Sequence, residues 1–263
     1  MIFMNVPASG HIYPTLGIVK QLVNKGEKVT YYASQEYKDI LQEAGATFRD
    51  YSEYISFDRR KMTESSLHLG VYLQQFTLQL LNKGFLNEID TQKPDYIIHD
   101  QLCVWGKIIT QLLNIPAICS NTSFALNSRL SKNYRFSISI FKPILFKFIY
   151  LYMVLKRKYG LQAKRPIDIF CNYQDMNIIF TSSYFQPYAH MFDDRFHFVG
   201  PCIASRNSYD DEKESKEEYS QPVLLISFGS IFNINISFYN TCIHAFKDSL
   251  YKVILVIGKE NCK

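Results

Sequence analysis

From its first residues the chain alternates short apolar runs with helical segments, and that alternation limits the possible folds more than any other feature. Ile2 to Val6 is a brief apolar run, and Pro7-Ala8-Ser9-Gly10-His11 breaks it. Pro14 stands where a first-turn helix proline is tolerated, after which Leu16, Val19, Leu22 and Val23 recur at helical spacing. Gly26 ends that helix, Val29 to Ala33 reads as a β-rich strand, and a second helix, Glu36 to Ala44, stops at Gly45. Strand, helix, strand, helix in that order predicts an α/β fold with a parallel sheet and right-handed crossovers.

The pattern continues along the chain. A long helical stretch covers Glu64 to Ile89, followed by a strand at Tyr96 to His99 and a helix through Gly106 to Leu113. Further short strands fall at Ala117 to Ser120, Asn177 to Thr181 and Phe196 to Val199, and Gly200-Pro201 closes the region. This predicts a Rossmann-like N-terminal domain over 1–204 and an interdomain linker over 205–221, where Ser208 to Gln221 is charged and devoid of aliphatics. Pro222 opens a new strand, Val223 to Phe228, followed by a Gly229-Ser230 turn, a helical run from Phe238 to Leu250 and a strand from Lys252 to Ile257. Val223 to Ile226 and Val253 to Val256 are continuous apolar runs, the pattern of strands covered on both faces. A unit of about forty residues rarely buries enough core alone, so 222–263 reads as an incomplete second Rossmann-like domain.

Composition removes several classes. With 47% hydrophobic and 20% charged residues, the chain is neither a disordered tail nor a fibre. Lys and Arg exceed Asp and Glu by 29 to 24, and a net +5 over 263 residues implies no nucleic-acid partner. The cysteines at 103, 119, 171, 202, 242 and 262 form no CxxC pair and match no zinc-ligand spacing. The apolar start is too short for a signal peptide, so a cytoplasmic location is expected. Lys132 to Tyr159 is apolar and basic together; Lys142, Pro143 and Lys147 argue against a membrane span. Two helices covering a hydrophobic cleft are the first expectation there, and peripheral membrane contact through 132–159 is the second.

Sequences that carry familiar chemistry are absent: no G-x-x-x-x-G-K-[ST], no G-x-G-x-x-G after the first strand, no H-E-x-x-H and no G-x-S-x-G. A histidine and an aspartate remain. His11 lies in a strand-to-helix turn, at the sheet edge where α/β proteins bind ligands; its alternative is a helix-start histidine bonded to the backbone. Asp100, just past Tyr96 to His99, projects at the same edge, and its alternative is a cap for the following helix. Shared placement on one edge makes a His–Asp pair geometrically available.

Several segments carry a family resemblance. MIFMNVPASGHIYPTLGIVKQLVNKGEKVTYY resembles the N-terminus of the macrolide-type bacterial branch of family 1 UDP-sugar glycosyltransferases. So do Asp95-Tyr96-Ile97-Ile98-His99-Asp100, Asn114-Ile115-Pro116-Ala117 and Phe198-Val199-Gly200-Pro201. Val223 to Ser230, with Phe232-Asn233, is similar to the strand and turn that open the family's second domain. The markers occur in the family's order along essentially the whole chain.

The resemblance implies a GT-B architecture, with an acceptor bound by the first domain and a UDP-sugar by the second. It implies that His11 is the general base and Asp100 its orienting acid, in an inverting transfer to a hydroxyl of a small lipophilic acceptor such as a macrolide or flavonoid. Gly10, Gly229 and Ser230 are implied on the donor side, the last two with an ordinary turn as alternative. Tyr13, Gln101 and Phe124 are implied on the acceptor side, whereas Phe76 and Phe141 read as core. UDP-sugar is a co-substrate, and neither a metal nor another cofactor is expected. Many members carry histidine where Ser9 stands, and the family's donor signature falls beyond residue 263. The alternative function is accordingly a catalytically silent truncated relative or binding module.

Overall fold

Short runs such as Ile2-Phe3-Met4 are apolar at every position because both of their faces are covered. In the computed structural model, which describes residues 1–58, 65–126, 142–171, 173–202, 221–229 and 236–257, seven such strands form one parallel sheet. They are β1 (Ile2–Met4), β2 (Thr30–Ala33), β3 (Thr47–Asp50), β4 (Ile97–Asp100), β5 (Ala117–Asn121), β6 (Met176–Ile179) and β7 (Phe196–Phe198). Their order is β3-β2-β1-β4-β5-β6-β7. The chain winds outward from β1 in one direction and then, from β4, in the other. The switch point lies between β1 and β4, which pair Ile2 with Ile97 and Met4 with His99.

Alternate residues supply two cores, one on each face. Ile2, Met4, Tyr32 and Ile97 join Phe76, Phe85, Trp105 and Leu155 on one side. Phe3, Tyr31, Ala33 and Ile98 join Ile12, Val19 and Leu41 on the other. The helices that cover the sheet are α1 (Ser9–Ile12), α2 (Leu16–Asn24), α3 (Lys38–Glu43), α4 (Ser66–Asn82), α5 (Phe85–Gln92), α6 (Val104–Leu113) and α7 (Lys142–Tyr159). Much of the aromatic content is committed to this core. Tyr51 is edge-on to both Phe76 and Trp105 and accepts the indole N–H at 3.1 Å.

The structure differs from the sequence reading in several elements. The helical stretch over Glu64 to Ile89 is two helices, parted at Gly84, whose φ of 91° a residue with a Cβ adopts at a cost. Strand β3 is an edge strand of mixed polarity, Thr-Phe-Arg-Asp, so no apolar run announces it. The described part of Lys132 to Tyr159 is the single helix α7, with Pro143 in its first turn, where proline is tolerated, rather than interrupting it. Residues 132–141, Phe141 among them, lie outside the described residues, and so does all of the expected linker save residue 221. No helix among the described residues is long and apolar enough to cross a membrane.

Contact clustering divides the chain into Met1–Ala204, which holds this sheet, and Ser205–Lys263. The second unit contains β8 (Val223–Ser227), α8 (Ile236–Phe246) and β9 (Lys252–Val256), with the strands parallel and Val223 opposite Lys252. Tyr239 and Cys242 of α8 are buried, whereas Leu225 is 62% exposed. The described residues thus leave these strands partly open, not covered on both faces as their apolar runs suggest, because α8 is the only helix they supply.

Helices α4 and α7 meet closely at Gly70. A Cβ at that position would lie 2.5 Å from the Phe148 ring and 2.9 Å from the Phe170 ring. Gly70→Ala is expected to lower the unfolding free energy by about 1–3 kcal/mol through overpacking, despite alanine's better helix propensity. Urea denaturation reads the change, and a variant as stable as the parent would show that the two helices part freely.

Candidate active site

Asn5 directly follows the first strand, and the chain then turns into α1 and a 3-10 turn, Tyr13–Thr15. Helix α1 begins at Ser9, so His11 rides on helical backbone, not in an open loop. Buried polar side chains hold that backbone. The Asn5 amide donates to the His11 carbonyl at 2.8 Å and to the Tyr31 hydroxyl at 2.8 Å. Thr15 Oγ1 donates to the Ile12 carbonyl at 2.7 Å, which leaves the Tyr31 hydroxyl to donate to Thr15 at 2.8 Å. Burial raises the Tyr31 phenol well above its ordinary value, so it remains a neutral donor. Asn5, Thr15 and Tyr31 were not singled out from the sequence; a polar residue closing an otherwise apolar strand was the available signal.

Asp100 closes β4, the neighbour of β1 across the switch point. Its side chain is fully buried and that of His11 is 13% exposed. Asp100 Oδ2 accepts from His11 Nδ1 at 2.7 Å, and Oδ1 accepts the Leu102 N–H at 2.7 Å. One oxygen therefore serves the following loop, ahead of a helix that has Cys103 at its N-cap and no side-chain cap, so Asp100 does not cap that helix; the other oxygen serves the imidazole. Thr122, just past β5, places Oγ1 3.0 Å from the same ring nitrogen. A single Nδ1–H shared between two oxygens fixes the tautomer and leaves Nε2 as the unprotonated nitrogen. Thr122 also escaped the sequence reading, because its proximity depends on β5 lying beside β4.

Burial opposes a charge on His11, but the Asp100 carboxylate and its hydrogen bond outweigh it, so the pKa is raised above the ordinary 6.5. The folded value exceeds the unfolded one. The pair's contribution to stability is therefore complete below about pH 6.5 and fades as pH rises through the folded pKa. The adjacent histidine behaves oppositely. His99 points to the other face, donates from Nδ1 to the Asp100 carbonyl at 3.0 Å and accepts from Gln174 at 2.7 Å; burial pushes its pKa down to about 4.

His11 borders a cavity of about 250 Å³. Leu69, Leu102, Phe124, Leu126, Ile167 and Phe170 make its wall apolar, and Gln101, Ser66 and Ser123 add polar groups. Gln101 Nε2 donates to Ser123 Oγ at 2.7 Å. Cys171 also lines it, with a thiol pushed up to about 12 by burial, and so behaves there as a small apolar group. Gln101 and Phe124 are thus both among the residues that line this cavity. Tyr13 does not line this cavity: two residues past His11 on helical backbone, it is carried to another side. Phe76 is core, as expected.

Gly10 is exposed beside His11, with open space where a Cβ would stand. In the second unit Gly229 has a φ of 71°, and its N–H donates to Ser227 Oγ at 3.2 Å. Ser230, Phe232 and Asn233 lie outside the described residues. No group of three or more His, Cys, Asp or Glu among the described residues is arranged to hold a metal ion.

No family model matches the chain. It is 34% identical to the NDP-glycosyltransferase YjiC of Bacillus subtilis (strain 168), over 97% of this chain and 64% of that protein. It is 31% identical to the uncharacterized UDP-glucosyltransferase YojK of the same organism, over 98% of this chain and 66% of that protein. Among solved structures, the glycotransferase of kitacinnamycin matches with a TM-score of 0.77 at 21% identity, over 98% of this chain and 65% of that one. The chain spans just under two thirds of the length of the curated relatives it matches.

Asp100→Asn removes both contributions that hold the imidazole charged and leaves its burial in place. The His11 pKa is then expected below 6.5, read by NMR titration of the ring protons. A midpoint unchanged from the parent would show that the carboxylate does not control this ring.

Proposed function

We propose that this chain, which belongs to the family 1 UDP-sugar glycosyltransferases and has the GT-B fold, serves an inverting sugar transfer to a hydroxyl compound. The observation that carries the reading is the His11–Asp100 contact of 2.7 Å at the edge of an apolar cavity. A neutral alcohol is a poor nucleophile, and a base titrating near neutrality is the efficient means of activating it. With Nδ1–H committed to Asp100, His11 Nε2 takes the acceptor's proton as its oxygen attacks the anomeric carbon. The bond to the nucleoside diphosphate breaks on the opposite face, and the configuration inverts. The buried carboxylate stabilises the imidazolium that results, the base-and-orienter logic of a triad without a covalent nucleophile.

The acceptor in this reading is lipophilic, because the wall it would touch is almost wholly apolar, with Gln101 and Phe124 as contacts. At about 250 Å³ the cavity is smaller than the roughly 300–1,000 Å³ typical of drug-sized ligands. That favours a flat phenolic ring system over an entire macrolactone. The donor in this reading is a UDP-sugar, and no metal is required. A second reading, an acceptor-binding module without transfer, rests on the same apolar cavity.

Incubation of the chain with UDP-glucose and a phenolic acceptor is expected to yield the glucoside. His11→Ala should lower turnover by about 10²–10⁴, and near-parental turnover in that variant removes the mechanism. In the parent, kcat/KM should fall as pH drops through the raised His11 pKa, since a protonated imidazole accepts nothing. Calorimetric binding of the phenol with no transfer at any pH would favour the module.

A further inference from the structure

Helix α7 is apolar on two sides. Phe148, Leu151, Tyr152 and Leu155 are buried beneath it, where Phe148 stacks on Phe170 with ring centroids 6.4 Å apart. On the outer side Phe146, Ile149, Tyr150 and Met153 recur at spacings of three and four and form one stripe. Phe146 is 71% exposed and Tyr150 is 66% exposed. By the 3.6-residue repeat, Lys147 and Lys156 fall on opposite flanks of the stripe, and Arg157 continues it at its C-terminal end. From Lys142 to Tyr159 there is no Asp or Glu. Among the described residues, Lys156 and Lys158 reach neutral acceptors, Ala163 O, Tyr152 and Asn82.

We propose that this outer face seats α7 on the surface of a bilayer containing anionic lipid. An apolar stripe with cations at its borders matches the acyl boundary below and the phosphate layer above. Lysine and arginine stems lie along the apolar side while their charges reach the headgroups, and Tyr150 suits the boundary itself, with an apolar ring and a polar tip. The helix lies on the membrane and does not cross it, because its inner face packs on α4 and on Phe170 of its own unit. A second copy is a poor occupant: pairing two such faces would crowd lysines and arginine with no carboxylate from either helix to offset them. A nucleic acid would satisfy the cations and leave the stripe wet. Bilayer attachment is independent of sugar transfer, although it would bring a cavity of apolar character close to a store of apolar compounds.

Co-sedimentation of the 263-residue chain with vesicles tests this without any reading of transferase activity. Binding is expected to phosphatidylcholine vesicles carrying phosphatidylglycerol, weaker to phosphatidylcholine alone, and reduced by high salt. Phe146→Ser with Tyr150→Ser should weaken it by about tenfold or more. Lys147→Gln and Arg157→Gln should each weaken it by about fivefold on the anionic vesicles only. All four side chains are exposed, and the glutamine variants leave the four residues of the stripe in place, so they hold the test open should the serine pair unfold. No sedimentation with anionic vesicles overturns the proposal, and so does binding indifferent to both sets of variants. A dimer seen by sedimentation velocity, dissolved by the serine pair and blind to vesicles, assigns the face to a second copy instead.

Discussion

A carboxylate sealed from water needs both of its oxygens occupied, and Asp100 meets that demand in two directions. One oxygen takes a backbone N–H of its own loop, and the other takes the His11 imidazole from a different strand's turn. Removing one partner from a buried pair of this kind typically costs about 3–5 kcal/mol. The ends of β1 and β4 are therefore joined by a contact that neither can lose cheaply. The cavity edge is organised around that joint, with Thr122 approaching from β5 and Asn5 holding the His11 carbonyl from below.

The fold class was legible because burial on both sheet faces leaves a strong mark. Ile97-Ile98 and Ile2-Phe3-Met4 cannot be polar when each alternate residue enters a different core. The edge strand β3 left no such mark, since Arg49 and Asp50 face water without penalty, and it was missed. Helix ends were legible at Gly26 and Gly45, where glycine turns the backbone, whereas the helical stretch over Glu64 to Ile89 was read without the break that falls at Gly84.

The site was legible in half. His11 and Asp100 stand at strand ends, which sequence can place, and a parallel sheet gathers such ends on one edge. Thr122 and Tyr31 could not be found this way. Their roles follow from strand order and from which side chains face one another, and neither is encoded at any fixed spacing along the chain. Tyr13, implied on the acceptor side by the resemblance, is not among the residues that line the cavity. The aromatic residues teach a related lesson, for Phe76, Phe85 and Trp105 interlock in the core and only Phe124 and Phe170 reach the cavity.

The hydrogen bonds beneath His11 run one way. Asn5 gives to Tyr31, Tyr31 gives to Thr15, and Thr15 gives to the Ile12 carbonyl, so each hydroxyl has a single orientation available to it. Dipoles locked in series cannot swing to follow a new charge. Whatever proton arrives on the imidazole therefore meets surroundings that are electrically stiff on that side. The counter-response is left to Asp100 and the Thr122 hydroxyl beside it, and the cradle contributes steadiness of position in place of solvation.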